Sequence, residues 1–358
     1  MNLEDIFLPA EKISAEPWQL GSIISSEIKE NSIVLIFCSD NRGISDGEAE
    51  MAHFRNIRRE LYKLSKLDFE VPICDLGDLV SGRTQQDTHF VLGEIITMCR
   101  QKNAVPVVVG RSNELSYVLF STLNSLQQHL TYTQISNVVS LNNDGENLTE
   151  TNFLSRILSS KNFSLKNYHH LGYQKHLNAN DSVKLMREVD FDVIRLAEMM
   201  GSSERTEPFF RQADLVTVNC DAVETIGDGF SVNPQVNGLN RREICAYMKE
   251  IGLSQNLKAA GIFNANINSR NQLNHQLLAQ MIWHLIEGIN IQKSHPTEKA
   301  FETFWVMIGE EKFAFQRETF SDLWYFGTED SAGNLKPCAQ TDYEMAKKGY
   351  INPRLLKI

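Results

Sequence analysis

The chain has 358 residues, and at about 150 residues per domain this length gives two domains as a soft prior. Its composition of 42% hydrophobic and 22% charged residues is ordinary for a globular protein and excludes a disordered chain. The net charge of −10 repels phosphate backbones, so we expect no broad surface for nucleic acid.

The sequence carries no pattern for a membrane or for export. No apolar stretch reaches the roughly 18 residues that a spanning helix needs. The first residues, MNLEDIFLPAEKISAEP, lack the basic and apolar regions of a secretory signal, so we expect a cytoplasmic protein. No two cysteines form a CxxC pair, and we therefore expect reduced, buried thiols at Cys38, Cys74, Cys99, Cys220, Cys245 and Cys338.

The first half of the chain alternates apolar runs with helical patterns. SIVLIFCSD, from Ser32 to Asp40, predicts a strand that is buried on both faces. A basic helical stretch, HFRNIRRELYKLSKL, follows, and then a second strand, EVPICDLGDL. Asp87 is the expected cap of the next helix, and AVPVVVG, from Ala104 to Gly110, predicts a third strand before another helix. This alternation is typical of a parallel sheet.

The second half continues the same pattern. We expect strands in NVVSLNND (137–144), near Leu171 to Tyr173, in ADLVTVNCDAV (213–223) and near Gly261 to Asn264. The helix RREICAYMKEIGL has Asn240 as its expected cap. HQLLAQMIWHLIEGIN gives a strong helical stripe of Leu277, Leu278, Met281, Ile282, Leu285, Ile286 and Ile289.

The character of the chain changes after about Lys293. ETFWVMIGEEKFAFQRETFSDLWYF alternates and is rich in aromatic residues, which predicts a β-hairpin with GEE as its turn. We therefore divide the chain into an N-terminal lead (1–30), one α/β domain (31–292) and a β-rich C-terminal extension (293–358) packed on that domain.

Polar clusters follow the predicted strands, where open parallel sheets carry their sites. They are GRSNE (110–114), NNDGE (142–146), NCDAVE (219–224) and NANIN (264–268), and Asp40 follows the first strand. From Ile33 to Asn290, this pattern resembles the arginase/agmatinase/formimidoylglutamase (ureohydrolase) family. The IRREL helix, the VPICDLGDL strand, VVVG before a helix and the QLLAQMIWHLIEG helix carry the resemblance. It implies a three-layer α/β/α fold around a mostly parallel sheet of about eight strands.

The resemblance also implies a binuclear manganese centre, whose bridging hydroxide attacks an amidine carbon. The family takes its ligands from a Gly-Gly-Asp-His turn, an Asp-Ala-His-x-Asp motif and a Ser-x-Asp-x-Asp-x-x-Asp motif. At the six matching positions this chain has no histidine. It carries instead Asn113, then Asn142, Asp144 and Glu146, then Asn219 and Asp221. Further pocket positions are Asp40, Ser112, Glu224 (in place of the last motif Asp) and Asn264 (in place of a substrate-side Glu).

Three carboxylates and three amides are a poor ligand set for two divalent metals, because an amide oxygen carries no charge. We therefore expect no manganese cofactor, or at most one weakly held cation on Asp144, Glu146 and Asp221. The simpler interpretation is that these three residues are hydrogen-bonded polar groups at strand ends.

Two other features have simple structural explanations. His169, His170 and His176 have no standard metal-binding spacing. Cys220 could be a nucleophile only beside a histidine, and strand alternation points it into the core, away from its neighbours.

The sequence therefore predicts a catalytically degenerate ureohydrolase-fold protein that binds a small molecule or a protein partner, or acts as a scaffold. The alternatives are an active metal-dependent hydrolase of linear amidine C–N bonds and a structural subunit of a larger assembly. The resemblance implies a homo-oligomer, and the aromatic C-terminal segment could cover a subunit contact.

Overall fold

The computed structural model describes residues 3–44, 54–142, 145–161, 164–201, 203–225, 227–328 and 335–356. Its strands are β1 (Phe7–Leu8), β2 (Ile24–Ser25), β3 (Ile33–Cys38), β4 (Ile73–Leu79), β5 (Val105–Gly110), β6 (Leu130–Ile135), β7 (Leu165–Tyr173), β8 (Asp192–Arg195), β9 (Leu215–Asn219), β10 (Ala259–Phe263), β11 (Phe301–Ile308), β12 (Glu311–Glu318), β13 (Trp324–Thr328) and β14 (Lys336–Cys338). Its α-helices are α1 (Arg55–Tyr62), α2 (Gln85–Gln101), α3 (Leu115–Leu126), α4 (Phe153–Leu158), α5 (Asn180–Glu188), α6 (Leu196–Gly201), α7 (Ser203–Thr206), α8 (Pro208–Arg211), α9 (Arg241–Gly252), α10 (Gln272–Ser294), α11 (Gln340–Ala346) and α12 (Pro353–Leu356).

The central sheet contains β1 to β10 in the order β1-β4-β3-β5-β10-β9-β6-β7-β8, with β2 also paired to β4. Every pairing from β4 to β8 is parallel, and only β1 runs antiparallel to its neighbour. The carboxyl ends of β3, β5, β10, β9 and β6 therefore meet along one edge of the sheet. The chain leaves β5 for β6 and later fills the gap between them with β9 and β10, so the middle of this edge is the topological switch point.

Helices cover both faces of the sheet, and β3 shows why. Ile33, Leu35 and Phe37 point into the hydrophobic core beneath α1, α9 and α10, while the alternate side chains point into the core beneath α2, α3 and α4. Both faces of β3 are buried, which is consistent with an apolar side chain at each of its positions. The predicted three-layer α/β fold is confirmed, although the sheet has ten strands where about eight were expected.

The helices follow the predicted patterns, with one correction. All seven residues of the α10 stripe are buried, and Asn240 caps α9 through a capping box with Glu243. The prediction that Asp87 caps α2 was wrong. Thr84 is the cap, and Asp87 is the third helical residue, whose side chain accepts from the Thr84 amide at 2.8 Å.

The prediction of a strand over 137–144 was also wrong. The strand is β6, Leu130–Ile135, and residues 136–142 form neither a strand nor a helix. β6 is buried despite its polar letters because its side chains have partners inside the fold. Thr133 Oγ1 donates to Phe209 O at 2.6 Å, and Gln134 Oε1 accepts from Tyr168 OH at 2.8 Å.

The C-terminal segment forms a separate antiparallel sheet, β11-β12-β13-β14. The predicted hairpin is confirmed as β11 and β12, and β13, β14 and α11 extend it. Arg211 of α8 connects this sheet to the α/β layers by donating to the backbone oxygens of Trp324 and Cys338.

All six cysteines are free and buried, as expected. Among the described helices, none has both the length and the apolar character that a membrane crossing requires.

Candidate functional site

A cluster of two carboxylates and two asparagines lies at the switch point, and we call it the Asn–carboxylate cluster. It comprises Asp221, just after β9, Asn264, just after β10, and Glu150 and Asn233 from two loops. Asn264 Nδ2 donates to Glu150 Oε2 and to Asp221 Oδ2, at 2.6 Å in each case. Asn233 Nδ2 contacts the same two carboxylates at 3.2 Å, and its backbone N–H donates to Asp221 Oδ1 at 2.9 Å.

The backbone supports this arrangement. Asn264 has a positive φ of 58°, a conformation that asparagine adopts more readily than most residues. Asn219 Oδ1 accepts from the Asp221 backbone N–H at 2.9 Å and fixes the turn that follows β9. The structure thus brings together three of the predicted residues, Asn219, Asp221 and Asn264, with two that were not predicted.

Burial changes the charge of the cluster. It raises the pKa of Glu150 to about 7. The nearby charge of Asp221 also raises this pKa, whereas the hydrogen bonds from Asn264 and Asn233 lower it. Burial likewise raises the pKa of Asp221, although its bonds to Asn264 and Asn233 oppose the shift. Near pH 7 a substantial fraction of Glu150 is therefore protonated, which limits the negative charge of the cluster.

The end of β5 contributes a second buried acid, Glu114. Its carboxylate accepts from Ser112 Oγ and from Gln85 Nε2 at 3.4 Å, and His89 Nε2 lies 3.7 Å away. Burial raises the pKa of Glu114 despite the interaction with His89. Asn113 is also buried, and its Nδ2 has no partner among the described residues.

Asp40, after β3, belongs to a structural clamp. Arg42 Nε donates to Asp40 Oδ1 at 2.9 Å, and Thr88 Oγ1 donates to Oδ2 at 2.7 Å. Burial alone would raise the pKa of Asp40, but these hydrogen bonds outweigh it and lower the pKa below its ordinary value. Both carboxylate oxygens are thus used to hold the loop against α2.

Three other predicted residues lie elsewhere. Asn142 and Glu146 are exposed and lie well beyond the end of β6, and no hydrogen bond within the described residues joins either side chain to the Asn–carboxylate cluster. Glu224 is exposed and lines a separate cavity of 220 Å³. Asp144 lies outside the described residues.

The wrong prediction of a strand over 137–144 explains why Asn142 and Glu146 do not lie at the sheet edge. The residues that do follow β6 are Ser136 and Asn137, both buried and neither a carboxylate nor an imidazole. Ser136 is occupied by the fold, because its hydroxyl donates to Val138 O at 2.9 Å and its carbonyl contacts His170 Nε2 at 3.1 Å.

The histidines and Cys220 are explained by packing. His169 pairs with Asp192 at 2.8 Å, His170 is fully buried with its pKa lowered by burial to about 4, and His176 is exposed. Cys220 is fully buried in the hydrophobic core, which raises its thiol pKa far above the ordinary value. It is therefore no thiolate nucleophile.

The described residues do not fit a binuclear metal centre. None of their His, Cys, Asp and Glu side chains gather in a group of three or more that could hold a metal ion. The amide of Asn264 lies between Glu150 and Asp221 and directs its N–H groups at the carboxylate oxygens. We therefore derive no hydrolytic step through a metal.

Comparison with solved structures gives chains that share this architecture. Formimidoylglutamase from Bacillus subtilis superposes with a TM-score of 0.65 at 14% identity, covering 75% of this chain and 91% of that one. Formiminoglutamase from Trypanosoma cruzi, in a structure with Mn²⁺, gives 0.67 at 15% identity and covers 78% and 99%. The chain has the arginase-like fold. Proclavaminate amidino hydrolase from Streptomyces clavuligerus shares it, with a TM-score of 0.61 at 16% identity over 75% and 94% of the two chains.

The arginase-like fold is shown by structure alone. The sequence matches no family model and no curated protein. At this sequence identity a shared fold does not show that two proteins share a substrate.

Sequence reasoning missed Glu150, Asn233 and Glu114. Glu114 lies within the GRSNE segment that had been singled out, so its position was a usable signal. Glu150 and Asn233 lie in loops that have no periodic sequence pattern. Only the folded path of the chain brings them to the carboxyl edge of the central sheet.

Proposed function

We propose that this chain is an arginase-fold protein that does not use two-metal hydrolysis and instead binds a small organic ligand or a protein partner. The observation that carries the proposal is the contact of Asn264 Nδ2 with Glu150 and Asp221, at 2.6 Å each. Its two hydrogens satisfy both carboxylates, whereas the reversed amide would set an oxygen against two acceptors.

Buried polar atoms without partners support a binding role over a purely structural one. Among the described residues, Asn113 Nδ2, Asn137 Oδ1, Ser140 Oγ and Asn264 Oδ1 are buried and unpaired. Each such atom costs about 1–3 kcal/mol, a penalty that a polar ligand or bound water would relieve. Since these atoms follow β5, β6 and β10, the proposed ligand site is the same edge of the sheet.

Metal content tests the proposal without knowledge of a substrate. Protein from manganese-supplemented cells is purified and measured by elemental analysis, and we expect manganese well below one ion per chain. Two manganese ions per chain would overturn the proposal.

One observation favours a second candidate, an active hydrolase of amidine C–N bonds. Adjacent carboxylates whose pKa values are raised by burial, as in the half-buried Glu150 and the buried Asp221, are common in active sites. Release of urea, formamide or ammonia from arginine, agmatine or formimidoylglutamate would support it. Asp221→Ala should then abolish the activity, and survival of activity would remove Asp221 from the mechanism.

We further propose a cytoplasmic location and a homo-oligomer. The six free, buried cysteines support a reducing compartment. Trp305 and Met307, 48% and 61% exposed on β11, support a contact through the C-terminal sheet. A monomer in sedimentation equilibrium would exclude the oligomer.

A further inference from the structure

A cavity of 530 Å³ lies at the carboxyl ends of β7 and β8, next to helix α5 and separate from the Asn–carboxylate cluster. Its volume is within the range of small-molecule sites. The charged residues that line it are Lys175, Lys184, Arg187, Glu188 and Arg195.

The cavity has an excess of positive charge in a chain whose net charge is −10. Glu188 is its one lining acid and pairs with Lys184 at 3.5 Å. Lys175, Arg187 and Arg195 form no ion pair with any acid in the described part of the chain. Asp181, exposed in the first turn of α5, is a nearby acid but is not among the lining residues. Three unpaired cations around one cavity are suited to a ligand with more than one negative charge.

Polar contacts hold the walls in place. Tyr173 is 4% exposed, and its hydroxyl accepts from Arg187 NH2 at 3.3 Å. Asn178 accepts from Val139 N at 2.7 Å and donates to Asn137 O at 2.8 Å, which ties the cavity to the loop after β6. The Arg187 guanidinium is thus positioned before any ligand binds.

The start of α5 adds to the positive potential. Asn178 and Asn180 line the cavity, and α5 begins at Asn180. Its cap residue, Ala179, has no side-chain acceptor for the N–H groups of the first turn. Helix N–H groups left in this way favour an anion.

We propose that this cavity binds a phosphate-bearing small molecule. The phosphate contacts Arg187 through paired N–H donors, with Lys175 and Arg195 neutralising its remaining charge and the first turn of α5 donating N–H groups. A guanidinium fork matches the tetrahedral oxygens of a phosphate and forms short, charge-assisted hydrogen bonds.

Calorimetric titration with inorganic phosphate and pyrophosphate tests the proposal, in buffers matched in ionic strength with sodium chloride. The test variant is K175Q/R195Q, because both side chains are exposed and no hydrogen bond of either side chain to the described residues supports the fold. The control is K166Q, which removes one exposed positive charge of β7 away from the cavity.

We expect saturable binding to the natural chain and to K166Q, and an affinity at least about tenfold lower for K175Q/R195Q. Tighter binding of pyrophosphate than of phosphate would support a ligand with more than one phosphate. Equal binding by the natural chain and K175Q/R195Q would overturn the site. Succinate binding as tightly as phosphate would overturn the phosphate class, and heat that sodium chloride reproduces would overturn specific binding altogether.

Discussion

Asn264 makes hydrogen bonds to two acids at once, so its replacement tests the Asn–carboxylate cluster directly. In Asn264→Asp a third carboxylate faces Glu150 and Asp221, and both lose a donor. We expect the free energy of unfolding to fall by about 2–3 kcal/mol, since each carboxylate loses one of its donors and faces a like charge, while the hydrogen bonds from Asn233 remain. Aspartate tolerates the positive φ here, so backbone strain adds little. Urea denaturation measures the change.

Manganese should partly restore the stability of Asn264→Asp, because three facing carboxylates suit a divalent cation better than two carboxylates and an amide do. The control is Asn142→Asp, an exposed site where we expect a change within about 0.5 kcal/mol and no effect of manganese. Unchanged stability of Asn264→Asp would show that the amide bridge contributes nothing.

Glu250 of α9 lies away from the candidate site, and its ionisation should make the stability of the fold depend on pH. Burial and the charge of Glu207 raise its pKa to about 7, above the ordinary value of 4.5. The folded chain therefore binds more protons than the unfolded chain between these two values, and stability falls as pH rises across this window. The glutamine in Glu250→Gln stays neutral at every pH. We therefore expect the free energy of unfolding of this variant to fall less between pH 5 and pH 8 than that of the natural chain. Urea denaturation at several pH values measures the slope.

The slope of the free energy of unfolding against pH should be smaller in Glu250→Gln but not zero. Glu150, whose pKa is also raised to about 7, contributes to the same slope. Glu94→Gln, at an exposed position of α2, should keep the slope of the natural chain. If both variants behave alike, Glu250 does not carry the effect.

At the scale of elements, strands and helices were predictable where the side chains that they bury are apolar. β3 consists entirely of buried apolar side chains, and α10 has one continuous stripe of them, so the sequence determines where both elements pack. β6 was missed because Thr131, Thr133 and Gln134 are buried yet polar, and the partners of the Thr133 and Gln134 side chains lie on other elements. An apolar neighbour, NVVSL, gave the stronger local pattern and led to the wrong strand.

The site was predictable only where a strand end supplies it. Asp221 and Asn264 follow β9 and β10 directly, and strand-end reasoning located both. Glu150 bonds to a residue 114 positions away, through a loop whose path no local pattern determines. Long-range closure of this kind is a property of the whole fold.

Arg211 links α8 to the C-terminal sheet and gives a prediction at this scale. Its buried guanidinium pairs with Glu207, donates to Trp324 O and Cys338 O, and lies 4.7 Å from the ring centre of Tyr325. In Arg211→Ala these acceptors lose their donor, and we expect a loss of about 3–5 kcal/mol. The C-terminal sheet should also become more sensitive to limited proteolysis.

The matched control for this change is Arg317→Ala on β12. Its partner Glu302 is 50% exposed, and such a surface pair contributes at most about 1 kcal/mol. Equal losses in the two variants would argue against Arg211 as the anchor of the C-terminal sheet.

At the scale of the molecule, two hydrophobic cores on either face of the ten-stranded sheet stabilise the fold. A bound metal would add to this stability only if the folded chain held it more tightly than the unfolded chain. At the sheet edge the described carboxylates already have amide, hydroxyl or guanidinium donors, so a cation gains few free oxygens there.

We therefore expect the urea midpoint to be the same in EDTA and in manganese chloride. One metal site filled at one hundred times its dissociation constant would contribute about 2.7 kcal/mol, a shift that denaturation resolves easily. Asn264→Asp is the positive control, because its third carboxylate should make stability respond to manganese where the natural chain does not. A shift of that size in the natural chain would mean that the folded protein holds manganese after all. The amide of Asn264 would then have to turn away from the carboxylates to admit the ion.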